Sequence, residues 1–138
     1  MTSTQSTLRE ELFSPDVPEA ISHYTHAVRF GNLLFISGFT PHDEHGNLVG
    51  ENDIVSQARQ VHRNLEKILV LAGASFADVL KITVYLTDIN DRQKINPVRQ
   101  EYFGAAKPAS TLVQISALAL PGIKIEIEAV VGLPDVNP

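Results

Sequence analysis

Apolar residues along the chain follow two different periods, and the changeover points divide it into elements. Between Asp53 and Gly73, the residues Ile54, Ala58, Val61, Leu65, Ile68 and Ala72 recur at steps of three and four, which stacks them on one face of an α-helix. Asp53 can cap the free N–H groups of the first turn, and Gly73 suits the left-handed residue that ends a helix. From Asp78 to Thr87 the period shortens to two. Leu80, Ile82, Val84 and Leu86 fall on one face and Lys81, Thr83, Tyr85 and Thr87 on the other, which predicts a strand with one wet side.

The same reading extends in both directions. His26 to Phe30 and Leu33 to Ser37 flank Gly31-Asn32, a two-residue pair of the kind that closes a tight β-hairpin. Gly38 to Asn52 is rich in turn formers and predicts a loop, with Leu48-Val49 as a possible short strand. Asp88 to Asp91 is expected to start a second helix running to about Phe103, which Gly104 and Pro108 then stop. Two strands follow, at about Ser110 to Ser116 and Ile123 to Val131. Residues 1 to about 20 show no sustained period and read as an N-terminal arm, with residues 21–138 as a single domain. The order hairpin, helix, strand, helix, strand, strand predicts an α+β fold: one mixed sheet with both helices on one face. Thr83, Tyr85, Lys124, Glu126 and Glu128 then face water or another subunit, and an aromatic among charges favours the subunit.

Composition narrows the function classes. The 138 residues suffice for one self-standing core, and 43% hydrophobic with 20% charged residues is ordinary for a globular domain. The absence of cysteine removes disulfides, thiolate metal sites and cysteine nucleophiles. A polar N-terminus and the lack of a long apolar run argue against a leader or membrane span and point to the cytoplasm. A net charge of −5, with the 11 Lys and Arg scattered, argues against a nucleic-acid surface.

One constellation carries a family resemblance. Tyr24, Gly31-Asn32-Leu33-Leu34-Phe35-Ile36-Ser37-Gly38, Gln57-Ala58-Arg59-Gln60, Asn64, Ala72-Gly73-Ala74, Asp78-Val79-Leu80-Lys81, Thr83 to Asp88, Tyr102-Phe103, Pro108-Ala109 and Ile125-Glu126-Ile127-Glu128-Ala129 stand in the order and spacing of one family. Together they resemble the RidA/YjgF family of reactive-intermediate deaminases, over roughly residues 19 to 132. The resemblance implies a chorismate-mutase-like fold and a homotrimer with clefts at the subunit interfaces. It also implies hydrolysis of small imines and enamines to 2-keto acids and ammonia, without metal or cofactor.

By resemblance, Glu126 positions the hydrolytic water and Tyr24 lines the cleft, while Ser37 and Gly38 meet the substrate at the strand end. The deaminase branch carries an arginine two residues after the proline of the Pro-Ala segment. Here that position is Ser110, so the charged fork that would grip a carboxylate is missing. Other departures are His26 for a glutamine, Ser22-His23 for a glycine-proline pair, and Phe39 for a glutamine. Ser110 and Thr111 would then bind an altered substrate by hydrogen bonds.

Each candidate also has a plain structural reading. His26, placed by alternation on the same strand face as Tyr24, is a candidate substrate-binding residue; both can equally serve as core cover or satisfied strand residues. Ser37-Gly38 can be a strand-terminal turn, and Ser110-Thr111 an ordinary strand start. Glu126 can be a solvated strand charge, and Glu128 reads as structural. His42-Asp43-Glu44-His45 holds metal-capable groups, but their consecutive placement fixes no coordination geometry, so no metal site is assigned. Two functions follow: a RidA-like hydrolase with altered substrate preference, or a non-catalytic trimeric protein that binds or senses a small metabolite. A ribonuclease role is disfavoured by the acidic balance.

Overall fold

In a computed structural model that describes residues 8–134, the strands form one mixed sheet. In chain order they are β1 (Arg9–Leu12), β2 (Ala27–Phe30), β3 (Leu33–Phe39), β4 (Val79–Leu86), β5 (Ala109–Gln114) and β6 (Ile125–Gly132). Their spatial order is β1-β2-β3-β6-β4-β5. All neighbours are antiparallel except β4 and β5, which need a crossover and are joined through a helix. Helix α1 (Ile54–Leu71) packs on β3 and β6, and the shorter α2 (Asn96–Phe103) packs on α1. The helix-side face buries Leu34, Ile36, Ile82, Val84, Ile125 and Ile127. The fold is the expected α+β architecture, with two helices on one face of a mixed sheet.

The termini of α1 follow from its sequence. Asp53 accepts from the N–H groups of Val55 and Ser56 at 3.1 and 3.3 Å. At the far end Gly73 adopts φ 76°, and Ala74 and Gly73 donate to the carbonyls of Leu69 and Val70. That is the Schellman arrangement, which satisfies carbonyls the helix leaves open. The hairpin β2–β3 turns at Gly31, whose φ of 61° is open to a glycine at little cost.

Four features depart from the sequence expectations. Arg9–Leu12 pairs with β2 inside the segment read as an arm. Four residues with three consecutive charges show no alternation, yet charge suits a sheet edge because it discourages further pairing. Leu80, expected on the buried face, is 52% exposed, because the register slips between Val79 and Lys81 and Val79 takes the inward place. The second helix is shorter than expected. Asp88 caps only a 3₁₀ turn, Ile89–Asp91, and α-helix resumes at Asn96, directly before Pro97, a residue favoured in a first turn. Within the polar loop, Leu48 forms a single antiparallel bridge with His42 rather than a strand.

Several buried groups are polar, and one of them is a histidine set among aromatic rings. His62 on α1 is fully buried, stacked on Tyr102 at 5.2 Å and set against Phe76 and Phe103. Its Nδ1 donates to the Ala58 carbonyl at 2.8 Å. Nε2 has no partner. Burial pulls the His62 pKa down from 6.5 to about 4.

The opposite face of the sheet carries neither α1 nor α2. It carries Phe30, Leu33 and Phe35, all substantially exposed, beside Thr83, Tyr85, Glu126 and Glu128.

Candidate functional site

A cleft of about 590 Å³ lies where β3 ends. Its walls come from four segments: Pro18 to Tyr24, the strand end at Ser37-Gly38, the loop from Thr40 to Gly46, and the stretch from Ala119 to Ile123. Glu126 of β6 lines it as well. The ladder between β3 and β6 slips register between Ile36 and Phe39, and such a bulge re-aims the side chains around it.

Gly38 stands in that slip, and its missing side chain matters. A Cβ there would collide with the Glu126 carboxylate, so the carboxylate lies directly against the Gly38 backbone. The reason for glycine is space and not backbone conformation. Glu126 is half-buried, and no lysine, arginine or histidine pairs with it among the described residues. Burial pushes its carboxyl above the ordinary range, and the neighbouring Glu128 adds to the shift. A raised carboxyl in a cleft, lacking a compensating cation, is suited to proton transfer.

Tyr24 and Ser37 border the same cleft. Tyr24 is 48% exposed, and its hydroxyl accepts from the Ile21 N–H at a long 3.4 Å, leaving the phenol proton free. The Ser37 hydroxyl donates to the Thr25 carbonyl at 2.6 Å, so towards a ligand it acts as an acceptor. His26 also borders the cleft, but both ring nitrogens are taken. Nδ1 accepts from the Ser14 N–H at 3.0 Å, and Nε2 therefore donates to the Pro18 carbonyl at 2.9 Å. That pairing fixes one neutral tautomer and ties the N-terminal segment to β2.

Ser110 and Thr111 stand elsewhere. Both are on β5, an edge strand separated from Glu126 by β4, and neither lines this cleft within one chain. They also point to opposite sides. Ser110 is in register with buried Ile82, and Thr111 with Thr83 on the face away from α1 and α2. The structure thus brings Tyr24, His26, Ser37, Gly38 and Glu126 together and leaves Ser110 and Thr111 apart.

The loop wall depends on residues to which the sequence pattern assigned no role. Asn64 of α1 donates to the carbonyls of Thr40 and His42 at 3.0 and 2.9 Å and accepts from Gln60 at 3.1 Å. Gln57 donates to the carbonyls of Gly50 and Gly122 and accepts from the Lys124 N–H at 2.8 Å. All three amides are buried. Their signal was visible as amides repeating on the helix face that should be apolar, since a buried amide needs several partners. His42 lines the cleft as well, with Nδ1 against Thr40 Oγ1 at 2.8 Å and its pKa lowered chiefly by burial. Asp43 spends its carboxylate on its own turn, accepting from the N–H groups of His45 and Asn47. Among the described residues no group of three or more His, Asp or Glu side chains is placed to hold a metal ion.

Comparison with known proteins places this geometry. Residues 14–132 match the family model described as Endoribonuclease L-PSP. A RutC family protein of Pyrococcus horikoshii is 44% identical over 89% of this chain and 97% of its own length. The 2-iminobutanoate/2-iminopropanoate deaminase of Mus musculus is 34% identical over 91% of this chain and 92% of its own. A crystal structure of E. coli TdcF with bound serine superposes with a TM-score of 0.83 at 32% identity, covering 91% of this chain and 99% of that one. The family match spans nearly all of the sheet and both helices, and the relatives and the fold agree with it, so the chain belongs to the RidA/YjgF family, also described as Endoribonuclease L-PSP.

Proposed function

We propose that the protein hydrolyses small imines and enamines, releasing ammonia, with a substrate preference altered by Ser110. The observation that carries this reading is Glu126: a half-buried carboxyl, raised by burial, set against the side-chain-free backbone of Gly38 in the cleft at the end of β3. An enamine first tautomerises to the imine, gaining a proton at its terminal carbon and losing one from nitrogen. Glu126 then takes a proton from water as the water oxygen bonds to the imine carbon, and returns that proton to nitrogen. Collapse of the resulting carbinolamine breaks the C–N bond and gives a ketone and ammonia. The free phenol proton of Tyr24 orients the substrate. The mouse relative's name, a 2-iminobutanoate/2-iminopropanoate deaminase, supports the reaction class.

We further propose a homotrimer working in the cytoplasm, with the cleft completed by a neighbouring copy. Two features support the assembly. The face away from α1 and α2 exposes Phe30, Leu33 and Phe35. The β5 edge, ASTLVQ, lacks any charge to keep another chain away.

The test couples a pyridoxal-phosphate-dependent lyase, as imine source, to the purified protein and follows imine decay by semicarbazide trapping. Faster decay that is lost in Glu126→Gln supports the hydrolase. No acceleration with any imino acid, combined with a ligand that raises Tm and is recovered unchanged, replaces it with the binding-protein reading.

A further inference from the structure

Ser110 occupies the position of the missing arginine, but its hydroxyl is not empty. Nη2 of Arg99 donates to Ser110 Oγ at 3.0 Å. Arg99 lies in the middle of α2, the helix that crosses from β4 to β5, so helix and strand bring the two groups together from residues eleven apart.

Two properties of this arginine bear on its role. Ion pairs among the described residues join Arg9 to Glu11, Arg59 to Glu101 and Lys94 to Asp91, and none includes Arg99. Glu101, two positions further along α2, is occupied by Arg59 at 3.1 Å. Arg99 is also half-buried, and the loss of water lowers its pKa with no acidic neighbour to oppose the shift. A guanidinium partly out of water and without a counter-charge is poorly compensated until an anion arrives. Its hydrogen bond to Ser110 uses one N–H, leaving the rest of the fork to face a carboxylate in bidentate fashion. A serine at 110 is well suited to this arrangement, since it holds the fork by its hydroxyl and adds no competing charge.

We infer that Arg99, held in place by Ser110, is the anchor for the carboxylate of a small 2-imino or 2-oxo acid, taking from α2 the part that a strand arginine plays in the deaminase branch. This rests on the proposed deaminase reading, and on the neighbouring copy that brings the β5 edge to the cleft. Arg99 is the binding group. Ser110 is a positioning residue.

The experiment measures binding of pyruvate, a stable 2-oxo acid, and of its neutral amide by calorimetry, alongside imine hydrolysis. Arg99→Gln is expected to weaken pyruvate binding by roughly tenfold or more and to leave the amide unchanged, because only the acid has a charge to lose. Arg99→Lys should fall between, having the charge without the planar fork. Ser110→Ala should weaken pyruvate binding less than Arg99→Gln does. The pair Arg99→Gln with Ser110→Arg should regain it, by returning a guanidinium to the strand; this also covers the case in which Arg99→Gln alone fails to fold.

Pyruvate binding unchanged in a folded Arg99→Gln protein overturns the anchor, as does equal loss of pyruvate and amide binding, or no pyruvate binding by the wild type. Wild-type hydrolysis that Arg99→Gln leaves intact sinks the anchor alone. Arg99-dependent pyruvate binding without imine hydrolysis upholds the anchor and sinks the catalytic reading.

Discussion

Replacing His62 by phenylalanine separates the cost of an unpaired buried nitrogen from the packing of the ring that bears it. The neutral ring donates from Nδ1 to the Ala58 carbonyl, and Nε2 is a buried acceptor with no donor. Protonation would add a charge there with nothing to receive it. Burial dominates the fall in pKa from 6.5 to about 4; the hydrogen bond to Ala58 opposes it, Arg99 adds to it, and Glu101 opposes it more weakly. In the unfolded chain the imidazole titrates near its ordinary value, so below that pH the unfolded state holds more protons. Stability therefore rises with pH through this window and falls as the solution is acidified. The loss is about 2 kcal/mol at pH 5 and about 3 kcal/mol at pH 4, approaching roughly 3.4 kcal/mol below both values. At pH 8, phenylalanine keeps the aromatic stack and removes an unsatisfied acceptor worth about 1–3 kcal/mol. His62→Phe should then match or exceed the wild type.

The assay is urea unfolding from pH 8 to pH 4 at one protein concentration, which holds any contribution from association constant. Subtracting wild type from variant cancels the carboxylates common to both. The difference should grow by about 2 kcal/mol between pH 8 and pH 5. Parallel curves across that range would refute the claim that His62 stays neutral in the fold.

Four further outcomes follow from the site. Glu126→Gln should lower imine hydrolysis by about a hundredfold or more, and the acid limb of the wild-type pH–rate profile should lie above the ordinary carboxylate range, matching the direction of the Glu126 shift. Gly38→Ala should keep the secondary structure seen by circular dichroism yet lose most activity, since its methyl displaces the Glu126 carboxylate; activity near wild type would show that the carboxylate need not lie there. Asn64→Leu should cost about 1–3 kcal/mol in urea unfolding by stranding the Thr40 carbonyl and leaving the His42 carbonyl only a 3.4 Å bond from Gln60, with faster amide exchange in the loop they anchor. Light scattering should give the mass of three chains, and a clean monomer would remove the interfacial cleft.

The elements with strong periods were legible in the sequence because each has one buried face: α1, β4, β6 and the hairpin. Where pairing is unsupported by a buried face, the pattern was silent. β1 is an edge strand made mostly of charged residues, and Leu80 was displaced by a bulge that no alternation can announce. The second helix was overextended because the 3₁₀ turn and the helix after it share similar composition. Among the candidate site residues, the resemblance named Tyr24, Ser37, Gly38 and Glu126, and these four line one cleft. It could not show that His26 has spent both nitrogens, or that Ser110 is engaged by Arg99. Both facts depend on pairs distant along the chain and invisible to local spacing.

The last strand made is the one at the centre. β6 has β3 on one side and β4 on the other, so during synthesis β1–β3 and β4–β5 exist as two fragments with no shared ladder. Until Ile125–Gly132 leaves the ribosome, α1 has only half of its bed, and Gly38 faces no carboxylate. Long-range pairing of this kind folds slowly and leaves apolar strand edges open in the meantime. A message cut short before residue 125 would thus release a chain without a central strand, prone to aggregate, and wholly without the cleft.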